Sequence, residues 1–195
     1  MYEYINGEIA LLTPTYVVMD VQGIGYNILI SLQTYSKLSE SSKAKIYIHQ
    51  VVREDANLLY GFFEESERQI FRLLINVNGI GPNTALMMLS SLSAEEIREA
   101  ILKEDINTLK GVKGIGLKTA QRVIVDLRDK IATSGASTDL FAKISSSNKQ
   151  RDEALSALVA LGFSKSPAEK TLDKLLKQSG DYTVEELIKA ALKQM

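Results

Sequence analysis

Two eight-residue segments of this chain carry the same Gly-Ile-Gly phrase 35 positions apart, and this repeat constrains the fold more than any other feature. The first segment is 78–85 (NGIGPNTA), and the second is 113–120 (KGIGLKTA). Each lies between segments whose apolar residues follow a helical period. A Gly-Ile-Gly turn that opens a helix leaves backbone N–H groups unpaired at the positive end of the helix dipole, where they suit a phosphate. The repeat therefore predicts two helix-hairpin-helix motifs that contact a nucleic-acid backbone.

The repeat also indicates which groups would contact phosphates. Backbone N–H groups near the glycines would donate hydrogen bonds, threonine hydroxyls would add donors, and basic side chains would neutralise charge. The candidate DNA-backbone-binding residues are Gly79, Gly81, Asn83, Thr84, Gly114, Gly116, Lys118, Thr119 and Arg122. A glycine turn can also be a plain connection between helices, but two copies followed by the same Thr-Ala pair favour phosphate contact. Such contacts read the shape of DNA and not its base sequence.

Positive charge collects around the second copy. The whole chain has a net charge of −1, yet residues 110–130 hold six basic side chains against two acidic ones. A basic cluster is often only a solvated helix face. Beside a phosphate-binding turn, it indicates a surface that attracts DNA.

Residues 111–119 (GVKGIGLKT) nearly match a nucleotide-binding P-loop. That motif requires a lysine directly after its last glycine, and here Leu117 separates Gly116 from Lys118. The preceding segment is also helical in pattern and does not resemble a buried strand. We therefore expect this chain to bind no ATP and to need no cofactor.

The first 63 residues show the pattern of a small β-barrel. Segments rich in Val, Ile and Tyr recur at 16–21, 26–30 and 44–52, and 58–63 follows after a short turn. Asn6-Gly7 predicts a hairpin between 2–5 and 8–12. Gly23-Ile-Gly25 lacks the third glycine of a dinucleotide-binding motif, which favours a turn or bulge. Five or six short strands indicate an OB-fold-like barrel over residues 1–63.

The rest of the chain is predicted to be helical. Residues 64–132 form a tandem helix-hairpin-helix domain whose last helix runs from Leu117 to about Ile131. Residues 133–148 are Ser-rich and predict a flexible linker in which Leu140-Phe141 could dock locally. Residues 149–195 predict a three-helix module that binds a partner, because so small a module buries little surface alone. The fold class is therefore α+β with several domains.

Composition excludes several kinds of site. The chain has no cysteine and a single histidine, His49, which excludes disulfides, thiolate metal sites and two-histidine catalysis. No apolar run is long enough for a membrane span, and the N-terminus lacks the pattern of a signal peptide. We therefore expect a cytoplasmic protein with no membrane partner and no metal site.

Glu54 and Asp55 form an acidic pair at a predicted hairpin tip between two apolar strands. The pair can be a solvated turn, it can hold a metal or act as acid and base, or it can repel phosphates and keep DNA strands apart. No further acid or histidine within residues 50–60 would complete a catalytic site. No catalytic residue is therefore predicted.

In order along the chain, these features resemble the RuvA family, the Holliday-junction-binding subunits of the bacterial branch-migration complex. The resemblance rests on the strand barrel, Arg53-Glu54-Asp55, the segment 59–62 (LYGF), the doubled hairpins, the Ser-rich linker and the tail segment 158–163 (LVALGF). It covers nearly the whole chain and is most specific in the first 130 residues.

The resemblance implies a non-catalytic, structure-specific and sequence-independent DNA-binding subunit that acts in DNA recombination, DNA repair and the SOS response to DNA damage. It implies a homotetramer that holds a four-way junction open, and an octamer when two tetramers enclose the DNA. Glu54 and Asp55 would form an acidic pin at the crossover. Leu158, Leu161 and Phe163 would bind the hexameric RuvB ATPase, which uses ATP and Mg²⁺, and the RuvC resolvase would join the full complex. Asn83 departs from the family, since many members carry a lysine there.

Two other functions compete with this interpretation. A structure-selective nuclease would use Glu54-Asp55 with a metal and would cleave a junction without any partner. A plain interaction protein is the second, because a three-helix tail with Leu161-Gly162-Phe163 also resembles ubiquitin-associated domains.

Overall fold

A computed structural model describes residues 1–140, 146–178 and 182–194 of the chain. It divides into two compact units, Met1–Thr133 and Ser134–Met195. The first unit contains the β-strands and both glycine hairpins. The second contains the C-terminal helices.

The N-terminal strands close into a five-stranded barrel in the order β1-β2-β3-β5-β4. The strands are β1 (Tyr4–Leu12), β2 (Tyr16–Val21), β3 (Ile24–Ile30), β4 (Lys43–Val52) and β5 (Asn57–Phe62). All pairs are antiparallel except β3 with β5, which pair in parallel at Leu29↔Tyr60 and Ile30↔Gly61. The predicted OB-fold-like barrel is confirmed. Its interior is filled by Ile5, Val17, Met19, Ile28, Ile30, Leu38, Ile46 and Ile48.

The hairpin predicted at Asn6-Gly7 is wrong, because β1 runs through both residues as one strand. The backbone of β2 passes close to Gly7: a Cβ added to this residue would lie 2.3 Å from the backbone oxygen of Asp20 on β2. The tight hairpin lies instead between β2 and β3, where Gln22 and Gly23 have φ of 55° and 86°. A turn was predicted there, and it is confirmed. Glycine is therefore required by close backbone packing at Gly7 and by the positive φ of a turn at Gly23.

The sequence patterns missed helix α1 (Leu32–Leu38), which links β3 to β4. Ser31 caps this helix by accepting a hydrogen bond from the Thr34 backbone. At seven residues the helix is too short for apolar periodicity to reveal.

Helices α2–α5 and most of α6 complete the first unit, and their apolar core is separate from the barrel interior but includes residues of β5. The helices are α2 (Glu65–Ile75), α3 (Pro82–Ser91), α4 (Ala94–Leu102), α5 (Ile106–Lys110) and α6 (Leu117–Leu140). Ser93 and Glu96 form a capping box at the start of α4. Tyr60 and Phe62 of β5 are buried in the same cluster as the helical residues. Barrel and hairpins are therefore held together by β5, whose buried side chains belong to the core of the helices.

Buried polar groups also join the barrel to α2. Arg68, which is 2% exposed, donates to the backbone oxygens of Glu3 and Ile48 and forms an ion pair with the Glu3 carboxylate. Glu67 accepts a hydrogen bond of 2.9 Å from the Thr34 hydroxyl and an ion pair of 3.1 Å from Lys37. Each buried charge has several partners. These contacts hold α2 against the barrel and fix its orientation there.

The second unit is built from α7 (Ser146–Ala160), α8 (Lys165–Gln178) and α9 (Val184–Leu192). A capping box at Thr183 and Glu186 opens α9. The range predicted as linker, 133–148, overlaps the end of α6 and the start of α7, while Phe141 lies outside the described residues. The helical module buries Ala154, Leu158, Ala168, Leu172, Leu175, Leu187 and Ala191.

Candidate nucleic-acid interface

The two glycine hairpins have the same backbone hydrogen bonds at matched positions. The Ile80 N–H donates to the Val77 oxygen, and the Ile115 N–H donates to the Val112 oxygen, both at 3.0 Å. The following helix begins identically in each copy, with a bond of 3.0 Å from the Ala85 N–H to the Gly81 oxygen and one of 2.9 Å between the equivalent residues of the second copy. The repeat in the sequence is therefore a repeat in structure.

The repeat extends further than the glycine phrase. Apolar residues 35 positions apart are buried in both copies: Leu74 and Leu109, Val77 and Val112, Ile80 and Ile115, Ala85 and Ala120, Met88 and Val123, Leu89 and Ile124. Each loop thus rests on an equivalent apolar base, which fixes its orientation. This wider match was available in the sequence as apolar positions at the same spacing.

The two glycines of each hairpin differ in their backbone conformation. Gly79 and Gly114 have φ of 95° and 91°, a region that L-residues with a Cβ rarely adopt. Gly81 has an ordinary φ of −86°, and no atom lies within 4 Å of the Cβ position at either Gly81 or Gly116. Neither backbone strain at Gly81 nor packing at either second position requires glycine, although glycine is a better N-cap than alanine. A close approach by an external molecule would give a reason for glycine there.

The first turn of α3 offers backbone donors beside Gly81. Gly81 is the N-cap of α3, and no side chain caps this helix end. Pro82 has no N–H, so the donors of the first turn are those of Asn83 and Thr84. Thr84 and its counterpart Thr119 are half-buried at the same helical position. The arrangement matches what an anion at a helix N-terminus requires.

The charged residues lie mainly on the second hairpin. Lys118 is exposed in the first turn of α6, and its counterpart in α3 is the uncharged Asn83. Arg122 is also exposed, and its Nη1 donates to the Asn78 oxygen in the first hairpin at 3.2 Å. This bond across 44 residues brings the two hairpins onto one surface. Arg128 is already paired with Glu104, so it is less available to a ligand.

Asn83 has a partner within the chain that the sequence did not reveal. Its Oδ1 accepts a hydrogen bond of 2.9 Å from the hydroxyl of Tyr60 on β5. Burial raises the pKa of Tyr60 above its usual value. The contact joins residues 23 positions apart and on different elements, so no local pattern could have indicated it.

The acidic pin, which consists of Glu54 and Asp55, lies at the tip of the β4–β5 hairpin with both side chains exposed. The turn is closed by a 2.7 Å bond from the Arg53 N–H to the Ala56 oxygen. Below the tip, Val51 and Leu58 pack against the core of the helical domain. The pin is therefore fixed at its base and free at its tip.

The described residues contain neither a metal-ligand cluster nor a membrane-spanning helix. Within them, no group of three or more histidine, aspartate or glutamate side chains could hold a metal ion. No helix in these parts of the chain has the length and hydropathy needed to cross a membrane.

Three family models match successive parts of this chain. The RuvA N-terminal domain matches residues 1–61, the SAM-like helix-hairpin-helix tandem matches residues 71–129, and the RuvA C-terminal domain matches residues 149–195. A protein of Christiangramia forsetii named Holliday junction branch migration complex subunit RuvA is 49% identical over 195 residues, covering 100% of both chains. The chain belongs to the RuvA family. RuvA subunits of Cytophaga hutchinsonii and Bacteroides fragilis are also 49% identical, over 99% and 100% of both chains respectively.

The RuvA C-terminal module exposes only part of the surface expected to bind a partner. Leu158 is fully buried in the core of the module, so its assignment to a contact surface is corrected: it supports the fold from within. Leu161 is 61% exposed, and Phe163 is half-buried against the same core. Between them Gly162 adopts φ of 96° and ends α7 in a Schellman motif, with the Phe163 N–H bonded to the Leu158 oxygen at 3.1 Å. The motif turns Leu161 outward.

Proposed function

We propose that this chain binds four-way junction DNA through its phosphate backbone, holds the crossover open and presents the DNA to a separate ATP-driven motor. The observation that carries the proposal is the pair of matched hairpins, which Arg122 connects and which offer open glycines and free N–H donors. The names of the relatives, Holliday junction branch migration complex subunits, support the choice of a junction as ligand.

The acidic pin gives the reason for a branched ligand. Two exposed carboxylates would repel the phosphates of a continuous duplex that crossed the tip. In a four-fold assembly, two carboxylates from each of four chains would meet at the centre, where strands separate. The hairpins of the same assembly would grip the arms around it. Repulsion at the centre and attraction around it would together favour a junction over linear DNA.

The chain would contribute no catalytic step of its own. We propose that the RuvB ATPase supplies ATP hydrolysis with Mg²⁺ and docks on the C-terminal module through Leu161 and Phe163, and that the RuvC resolvase joins the complex later. Exposed apolar side chains on a small helical module are a common docking surface. We further propose a cytoplasmic homotetramer, which two copies enlarge to an octamer around the DNA.

The test is a titration of the purified chain against a fluorescent four-way junction and a linear duplex of the same sequence, with and without magnesium. Tighter binding to the junction supports the proposal. Equal affinity for both ligands favours the plain interaction protein, and cleavage of the junction by the chain alone favours the nuclease. Native mass measurement with and without junction then counts the chains in the complex.

A further inference from the structure

The hydrogen bond between Tyr60 and Asn83 joins the barrel to the first glycine hairpin at the position where DNA contact is proposed. Tyr60 belongs to β5, which follows the acidic pin, and Asn83 is in the first turn of α3. The bond is 2.9 Å long, a normal length for a hydroxyl donor and an amide oxygen. It therefore links the exposed end of the hairpin to a rigid strand.

Tyr60 is held firmly on the barrel side. It is 1% exposed, and its ring centroid lies 5.2 Å from that of Phe71 on α2. Asn83, by contrast, is exposed. One partner is fixed by the core, so the bond orients the other.

The planar amide of asparagine determines what this orientation does. When Oδ1 accepts from Tyr60, the NH2 group lies on the opposite side of the amide carbon and retains two N–H donors. No acceptor in the described part of the chain binds that nitrogen. The NH2 group is thus free to donate next to the backbone N–H groups of the first turn.

We propose that Tyr60 is a positioning residue that aims the Asn83 amide N–H donors at a DNA phosphate. The proposal rests on the proposed function, because it assigns a ligand to the first hairpin. It gives the uncharged hairpin a donor whose orientation is set before DNA arrives, so less rotamer freedom is lost on binding. The contact would add affinity without adding salt dependence, since no counterion is released from DNA by a neutral group.

A double-mutant cycle on the full chain tests this, with junction affinity measured by fluorescence anisotropy at several salt concentrations. Tyr60→Phe keeps the ring and removes only the hydroxyl. We expect it to weaken binding about threefold to tenfold in the wild-type background and to have no effect in the Asn83→Ala background. The slope of log affinity against log salt should stay unchanged in both variants.

An equal loss from Tyr60→Phe in both backgrounds would overturn the proposal, since the hydroxyl would then act through general stability. A second background, Asn83→Lys, removes the acceptor and adds charge, and there Tyr60→Phe should again have no effect. Lys118→Ala in the second hairpin tests the proposed DNA contact separately from the positioning role of Tyr60. If it weakens binding while Tyr60→Phe does not, only the positioning role fails; if neither it nor Asn83→Ala changes affinity, the proposed hairpin contact fails as well.

Discussion

Replacing the glycines of one hairpin one at a time should separate folding from DNA contact. Gly79→Ala places a Cβ at φ of 95°, which costs about 1–2 kcal/mol of stability. Gly81→Ala faces open space at φ of −86°, where loss of unfolded-state freedom stabilises by about 0.4–1 kcal/mol. Alanine is a poorer N-cap than glycine by a similar amount, so the net change should stay within about 0.5 kcal/mol.

DNA binding should be weakened more by Gly81→Ala than by Gly79→Ala, the reverse of their effects on stability. The alanine methyl at position 81 would stand beside the exposed N–H groups of the first turn and keep a phosphate away. A hydrogen bond to a charged group contributes about 1.5–3 kcal/mol. Its loss corresponds to about a tenfold weaker affinity or more. Gly79→Ala should bind nearly normally wherever the protein remains folded.

Urea unfolding and junction anisotropy on the same two variants provide the measurements. Gly114→Ala and Gly116→Ala form the matched pair in the second hairpin. Gly114→Ala should lower stability, and Gly116→Ala should weaken DNA binding. The reasoning is refuted if Gly81→Ala destabilises the chain as much as Gly79→Ala does. Wild-type junction affinity in Gly81→Ala would also refute it, because the open space would then not be a phosphate site.

Further predictions address the charges and the domains. Lys118→Ala should weaken junction binding and reduce the salt slope by about one, and an unchanged slope would contradict a phosphate contact. Glu54→Gln combined with Asp55→Asn should tighten DNA binding in gel shifts while impairing strand separation; weaker binding would argue against repulsion. Deletion of 149–195 should leave junction affinity intact and abolish stimulation of the motor ATPase, whereas lost affinity would show that the tail belongs to the DNA-binding unit. Stability in urea should fall as the pH drops below about 6.5, because burial and two nearby arginines lower the pKa of His49 and the unfolded chain binds the proton more tightly. His49→Phe should flatten that dependence.

The hairpins could be predicted from sequence because their determinants are local. A positive φ requires glycine, and the apolar residues of the adjacent turns repeat with the helical period, so a few residues specify each loop. The same holds for the capping boxes at Ser93 and Thr183, whose partners lie three residues away. The barrel was recognisable because its segments are β-rich and closely spaced, although its strand order was not.

The features that sequence reasoning missed depend on contacts between distant residues. Asn6-Gly7 has the local pattern of a turn, but the backbone of β2 passes so close to Gly7 that a strand forms instead. Leu158 was read as a surface residue from a motif, while the packing of three helices places it inside. The role of Tyr60 depends on a fold that brings β5 to α3. Local patterns therefore predicted the loops better than they predicted which side chains the loops expose.

The two hairpins share a backbone but differ in how they would hold DNA. The second has Lys118 and Arg122, whose attraction acts over a distance and weakens as salt rises. The first has Asn83, which carries no charge and is oriented by the barrel through Tyr60. Under the proposed function, long-range attraction at one hairpin and a short-range, preoriented donor at the other would serve successive stages of binding. Charge would speed the encounter, and the neutral contact would form only when the backbone is in register. Such a division would let a chain with a net charge of −1 bind a polyanion and still discriminate its shape.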